Sequence, residues 1–175
     1  MTSISYAEIF SRFFTKVEAY DLLDLHKDEK MRNAILCSWL HSALSAPYVI
    51  RLFSKLECPS EDDIVNLESA DNKINFELEY EINEYADKEF IIEVLSYGVA
   101  LAWITPKVNS IINISQFLGS SSEKYYSQAA HVAELRNLRD DLMNAQRSLI
   151  RDRGYANNLY LDGTSSSSNL RGSSQ

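Results

Sequence analysis
Between about Glu123 and Arg153, the residues His131, Leu135, Leu138, Leu142, Ala145 and Leu149 recur in alternating steps of four and three. This is the seam of a heptad helix, and Gly154 follows as a stop. At about 1.5 Å per residue such a helix is on the order of 45 Å long. A chain of 175 residues has enough apolar material for one good core and too little for two. A helix of that length outgrows its own domain, so the sequence predicts that part of it packs on another subunit or carries the tail outward.

The remaining periodicities point to a mainly α fold. Ser5 and Glu8 form a capping box ahead of Ile9, Phe10, Phe13, Phe14 and Val17, which predicts a first helix over about 6 to 17. Tyr20 to Leu25 connects it to a second helix of roughly 27 to 45. There Met31, Ile35, Trp39, Leu40, Ala43 and Leu44 form one stripe, and Pro47 ends it. A short helical piece is expected from Tyr48 to Leu56, then a turn at Cys58-Pro59-Ser60.

Ile74, Phe76, Leu78, Tyr80 and Ile82 alternate with Asn75, Glu77, Glu79 and Glu81, the period of a half-buried strand, with a short helix as the competing assignment. Its partner is expected in Leu159 to Leu161 or on another subunit by edge addition. Ile91, Ile92, Leu95, Val99 and Trp103 then fit a central helix from Lys88, stopped by Pro106. Asn109 to Leu118 fits a further helix capped by Gly119. The fold class is thus a helical bundle with one long C-terminal helix, a short β element and an extended arm. Residues 1–154 form the helical domain. Residues 155–175, rich in serine at Thr164 to Ser168 and Gly172 to Ser174, form the arm.

Charge is unevenly spread. The net value is −8, yet residues 57–93 hold 13 Asp or Glu against Lys73 and Lys88, a local −11 that leaves +3 for the rest. Such a block disfavours tight wrapping of nucleic acid and most simply reads as a solvated face. Arg136, Arg139, Arg147, Arg151 and Arg153 lie on the long helix, but Glu134, Asp140, Asp141 and Asp152 are interleaved with them. That pattern predicts a salt-bridged solvent face and not a basic recognition surface. No signal peptide is visible at the N-terminus, and no apolar stretch reaches the roughly 20 residues of a membrane span.

Chemistry is sparse. His131 and Glu134 sit one turn apart, without the paired Glu-x-x-His motifs of a di-iron bundle. His26 between Asp24 and Asp28 does not match a calcium loop. Cys37 lies in an apolar stripe and Cys58 precedes a proline, with no neighbouring base for either. Phosphate loops, nucleophile elbows and zincin motifs are not found in the sequence. The chain is read as a non-enzyme with no catalytic, cofactor or metal residues.

Trp103-Ile104-Thr105-Pro106-Lys107-Val108-Asn109-Ser110, Tyr126-Ser127-Gln128-Ala129, Glu134-Leu135-Arg136-Asn137-Leu138-Arg139 and the Gly154-Tyr155 ending together resemble the small helical neck proteins of tailed bacteriophages. The likeness covers roughly residues 20 to 160 in layout, with its motifs concentrated in 103–155. The alternating 74–82 stretch departs from that largely helical pattern. In the family these are connector or adaptor proteins that form a ring under the portal. The resemblance implies a virion protein of the neck, assembled in the host cytoplasm as a ring of many copies, commonly twelve. Its partners would be the portal protein, other copies of itself and downstream tail or stopper proteins. DNA would pass through the channel without specific binding, and no membrane is involved. It also implies interface roles for Trp103 and Pro106 as a corner between helices, for Tyr126, Gln128 and His131 as contacts between helices or subunits, and for Tyr155, Asn158, Leu159, Tyr160 and Leu161 as a docking arm. The other reading is a small regulatory module that dimerises through the 131–149 seam.

Overall fold
The computed structural model describes residues 1–17, 28–59, 72–117 and 122–156, with the backbone alone over 111–117, 122–131 and at 156. These residues form, in order, β1 (Thr2–Ser5), α1 (Tyr6–Phe14), α2 (Glu29–Leu44), α3 (Pro47–Ile50), β2 (Phe53–Glu57), β3 (Lys73–Leu78), α4 (Glu84–Phe117) and α5 (Ser122–Ala156). The protein is mainly helical, with a small sheet and a long C-terminal helix.

Everything is arranged around α4, which touches α1, α2, α5 and β1. Its sequence explains the position. Ile91, Ile92, Val94, Leu95, Val99, Ala100, Trp103, Ile104 and Val108 are buried and cover the whole circumference, and a helix apolar all round has to be enclosed. By length and composition Glu84–Ser110 could cross a membrane, which the sequence expectation overlooked; 61% of its most apolar window is already inside the fold, as for a core helix.

Pro106 does not stop α4, and the expected separate helix at 109–118 is the second half of the same element. A proline inside a helix removes one backbone hydrogen bond and costs about 3 kcal/mol in isolation. Here its ring faces outward while Trp103, Ile104 and Val108 on either side are buried, and that burial offsets the lost bond. Trp103 is therefore a core residue of a continuous helix and not a corner, with the Lys107 ammonium 4.5 Å from its ring centre.

The uninterrupted α4 gives α5 a partner of matching length, 34 residues against 35. The two run antiparallel, since Gln146 meets Val94 and Arg153 meets Asp87 and Phe90. Leu142 is buried and Leu135, Leu138 and Leu149 are half-buried against the core, so the heptad seam lies on this chain's own α4. Gly154 does not end α5, which continues to Ala156 and takes Tyr155 with it.

At the waist the helices come very close. A Cβ on Gly98 would stand 2.6 Å from the Ala43 Cβ and 3.2 Å from Gln146 Nε2, so only glycine lets α2 and α5 meet α4 there. Gln146, fully buried, donates to the Val94 carbonyl (2.8 Å) and accepts from the Tyr48 hydroxyl (3.1 Å).

The sheet has the order β1-β3-β2, with both pairs antiparallel. Ile4 opposes Ile74 and Leu56 opposes Phe76, while a register irregularity falls between Phe53 and Lys55. Two expectations are corrected here. The stretch from Tyr48 is one helical turn followed by a strand, and β3, flanked on both sides, has no open edge for Leu159 to Leu161, which lie outside the described residues. The first helix is as expected at its start: Ser5 N–H donates to Glu8 Oε2 (2.9 Å) and Glu8 N–H to Ser5 Oγ (3.3 Å). It ends at Phe14, three residues early.

Candidate docking surface
β3 stops at Leu78, four residues short of the alternating pattern, because the chain changes what it is bonded to. Glu79 N–H donates to the Leu52 carbonyl (3.0 Å), Arg153 donates to the Tyr80 carbonyl (3.0 Å), and Ile82 N–H donates to both Asp87 carboxylate oxygens (3.1 and 3.3 Å). Asn83 then caps α4, its Oδ1 accepting from Ala86 N–H at 2.8 Å. Residues 79–85 are thus tied down at their backbone while every one of their side chains is exposed.

Tyr80 and Ile82, read from the sequence as the buried face of a strand, are 70% and 50% exposed, and Tyr85 is 76% exposed. Large apolar groups held outward together on a fixed backbone are of the kind that marks a contact site.

The fastening is an ion pair. Arg153 bonds to Asp87, and their side chains are only 10% and 5% exposed. The guanidinium also stacks 4.4 Å from the Phe90 ring centre. Arg153 was expected on the solvent face of the long helix; the structure turns it inward. A buried ion pair is a weak source of net stability, since desolvation offsets most of the attraction, but it fixes geometry. Here it holds the Tyr80 carbonyl and the Ile82 amide in one place.

Beside it lies a hollow of about 200 Å³ lined by the apolar side chains of Leu52, Leu78, Phe90 and Ile150 and by the charged residues Arg51, Glu79 and Arg153. That is smaller than the roughly 300–1,000 Å³ of small-molecule sites and suits a single inserted side chain. Among the described residues no group of three or more His, Cys, Asp or Glu could hold a metal ion.

The other polar clusters serve the fold. Arg12 reaches Glu89 (2.8 Å) and Glu93 (3.4 Å), Lys88 reaches Glu8 (2.7 Å), and Lys16, bonded to Glu93, lies 3.9 Å over Tyr97, so α1 is clamped along α4. Burial pushes the Glu8 carboxyl up, but hydrogen bonds from Lys88 and Ser5 together with the Lys88 charge outweigh it and hold the pKa below the ordinary glutamate value. Tyr6, fully buried, shares a 2.8 Å hydrogen bond with His41 Nε2 and so ties α1 to α2.

Of the residues singled out from the sequence, Tyr155 is exposed on the last turn of α5, two residues beyond Arg153. Trp103 is core, and Pro106 lines a shallow groove between α2 and α4 with Ser38, Ser42 and Ala102. Tyr126, Gln128 and His131 lie on the α5 backbone, their side chains outside the description; Asn158, Leu159, Tyr160 and Leu161 lie outside the described residues altogether. The residues missed were Tyr80, Ile82, Tyr85, Asp87 and Arg153. Asn83 as an N-cap residue, followed by Glu84 and Asp87 in the first turn at the foot of an apolar run, was the signal of an earlier helix start.

No protein-family model, no curated protein and no solved structure matches this chain.

Proposed function
We propose that the protein is a structural adaptor of a tailed-phage neck, a non-enzymatic virion component that joins the portal to the tail through contacts with both. The observation that carries this is the exposed aromatic patch pinned at the open end of the α4–α5 hairpin, next to the point where α5 hands on to residues 157–175. A rigid helical body with binding groups gathered at one end suits a part that holds other proteins in register. The net charge of −8 suits a channel component past which DNA slides. Ring formation, portal binding and the docking role of the arm belong to this reading.

Two tests bear on it. The reading expects portal and capsid genes beside this one, and retention of the full chain on that portal in a pull-down. A chain ending at Ala156 should keep its helical circular dichroism and lose retention; undiminished retention overturns the role of the arm.

A further inference from the structure
We propose that the pinned segment and its adjoining hollow capture a basic, apolar segment of another protein, one aliphatic or aromatic side chain entering the hollow while Lys or Arg on either side pair with Glu79, Glu81 and Glu84. The proposal rests on reading this end of the hairpin as a docking surface, but not on which assembly it serves.

Three observations select that chemistry. The first is preorganisation. The backbone of 79–82 is held by Leu52, Arg153 and Asp87, so a partner meets a surface already in its bound shape and little ordering entropy opposes binding. The second is the hollow, whose volume of about 200 Å³ and walls of Leu52, Leu78, Phe90 and Ile150 admit one large apolar side chain. The third is charge. Glu79, Glu81 and Glu84 are all exposed within six residues, and the Arg153 charge is taken up by Asp87. Against these three carboxylates stands one exposed cation on the lining of the hollow, Arg51, so the 79–84 segment beside the hollow stays net acidic and a cationic segment is steered to it. Tyr80 and Ile82, set between the glutamates, supply the apolar contact that excludes water around such pairs.

A second copy of this chain fits less well. Lys30-Met31-Arg32 comes nearest to the required pattern, but Asp28 and Glu29 directly precede it, and each copy carries −8.

The test is a titration of the full chain with a blocked peptide built on Lys-Leu-Lys-Phe-Lys. Two controls replace its Leu and Phe by Ser, or its Lys by Glu. Calorimetry gives affinity, and side-chain NMR of Leu52, Phe90 and Ile150 gives location. The parent peptide should bind saturably and shift those three residues, with each control weaker by about tenfold or more. Tyr80→Ser, and the combined Glu79→Gln, Glu81→Gln and Glu84→Gln variant, should each weaken it similarly; all four positions are exposed, so folding is preserved. Equal binding of the Ser control, shifts confined to other residues, or binding seen only after residues 157–175 are removed would each overturn the proposal. So would self-association of the wild type that Tyr80→Ser abolishes, because the occupant would then be a second copy. If no peptide binds but Tyr80→Ser still loses retention on the portal, the partner chemistry falls and the docking reading stands; if Tyr80→Ser leaves retention unchanged too, both fall.

Discussion
The waist of the molecule and the open end of its long hairpin each bury a polar group, to different effect. At the waist, Gln146 is neutral and both its contacts, the Val94 carbonyl and the Tyr48 hydroxyl, belong to packed helical elements. It completes a close three-helix contact that Gly98 makes possible. At the open end, Asp87 and Arg153 are charged, and beyond each other they hold the backbone of a segment whose side chains all face solvent. A buried amide suffices to seal an interior, whereas a buried ion pair is worth its desolvation where something exposed has to be kept in shape. One region stabilises the fold; the other displays a surface.

Substitutions should separate the two. The largest loss is expected from Arg153→Ala, which leaves Asp87 buried and unpaired: about 3–5 kcal/mol in denaturant unfolding. The double variant Asp87→Leu with Arg153→Met should regain most of that stability without restoring the fixed 79–82 backbone; a double variant as unstable as Arg153→Ala would show that the pair serves stability instead. Gly98→Ala at the waist should cost about 1–3 kcal/mol, because the Ala43 Cβ has no room to yield. A thermal scan should show that loss as a lower Tm, while any docking activity of the folded fraction stays unchanged.

How far these regions could be read from the sequence follows the same division. The α1 capping box is local, Ser5 and Glu8 being three residues apart, and its start was legible. The central helix was legible from the spacing of Ile91, Ile92, Leu95, Val99 and Trp103, but neither its burial all round nor its passage through Pro106 was, since whether a proline breaks a helix depends on what its neighbours bury. Ending the helix at Pro106 hid the full length of α4, the element on which Leu135, Leu138, Leu142 and Leu149 of α5 pack. β1 and β2 were missed because strands of 4 and 5 residues carry little periodic signal and are fixed by pairing with β3. The surface at 79–85 was misread because the alternation of 74–82 continues unbroken past the last strand residue. The bonds that take over where pairing ends come from Leu52 and from Asp87 and Arg153, the last two 66 residues apart.

Smaller effects refine the comparison. Gln146→Leu keeps the volume but strips partners from Tyr48 and Val94, and should cost about 1–2 kcal/mol in the same unfolding assay. Glu8→Gln should cost under about 1 kcal/mol at neutral pH, because the Lys88 pair is partly exposed. The depressed Glu8 pKa gives the sign: its contribution is complete above the ordinary value of 4.5 and is lost as pH falls through the lower folded value. Wild type and Glu8→Gln should therefore converge in stability on the acid side; a gap that stays constant with pH would contradict that assignment.

The claim that the open end is a pinned display surface is tested most directly by amide hydrogen exchange at Ile82 in the full chain. Slow exchange there, far slower than for an unbonded exposed amide, with protection lost in the Asp87→Leu, Arg153→Met double variant while the amides of α4 near Gly98 stay protected, is the predicted result. Exchange at Ile82 as fast as in a free peptide, or unchanged in the double variant, would contradict it.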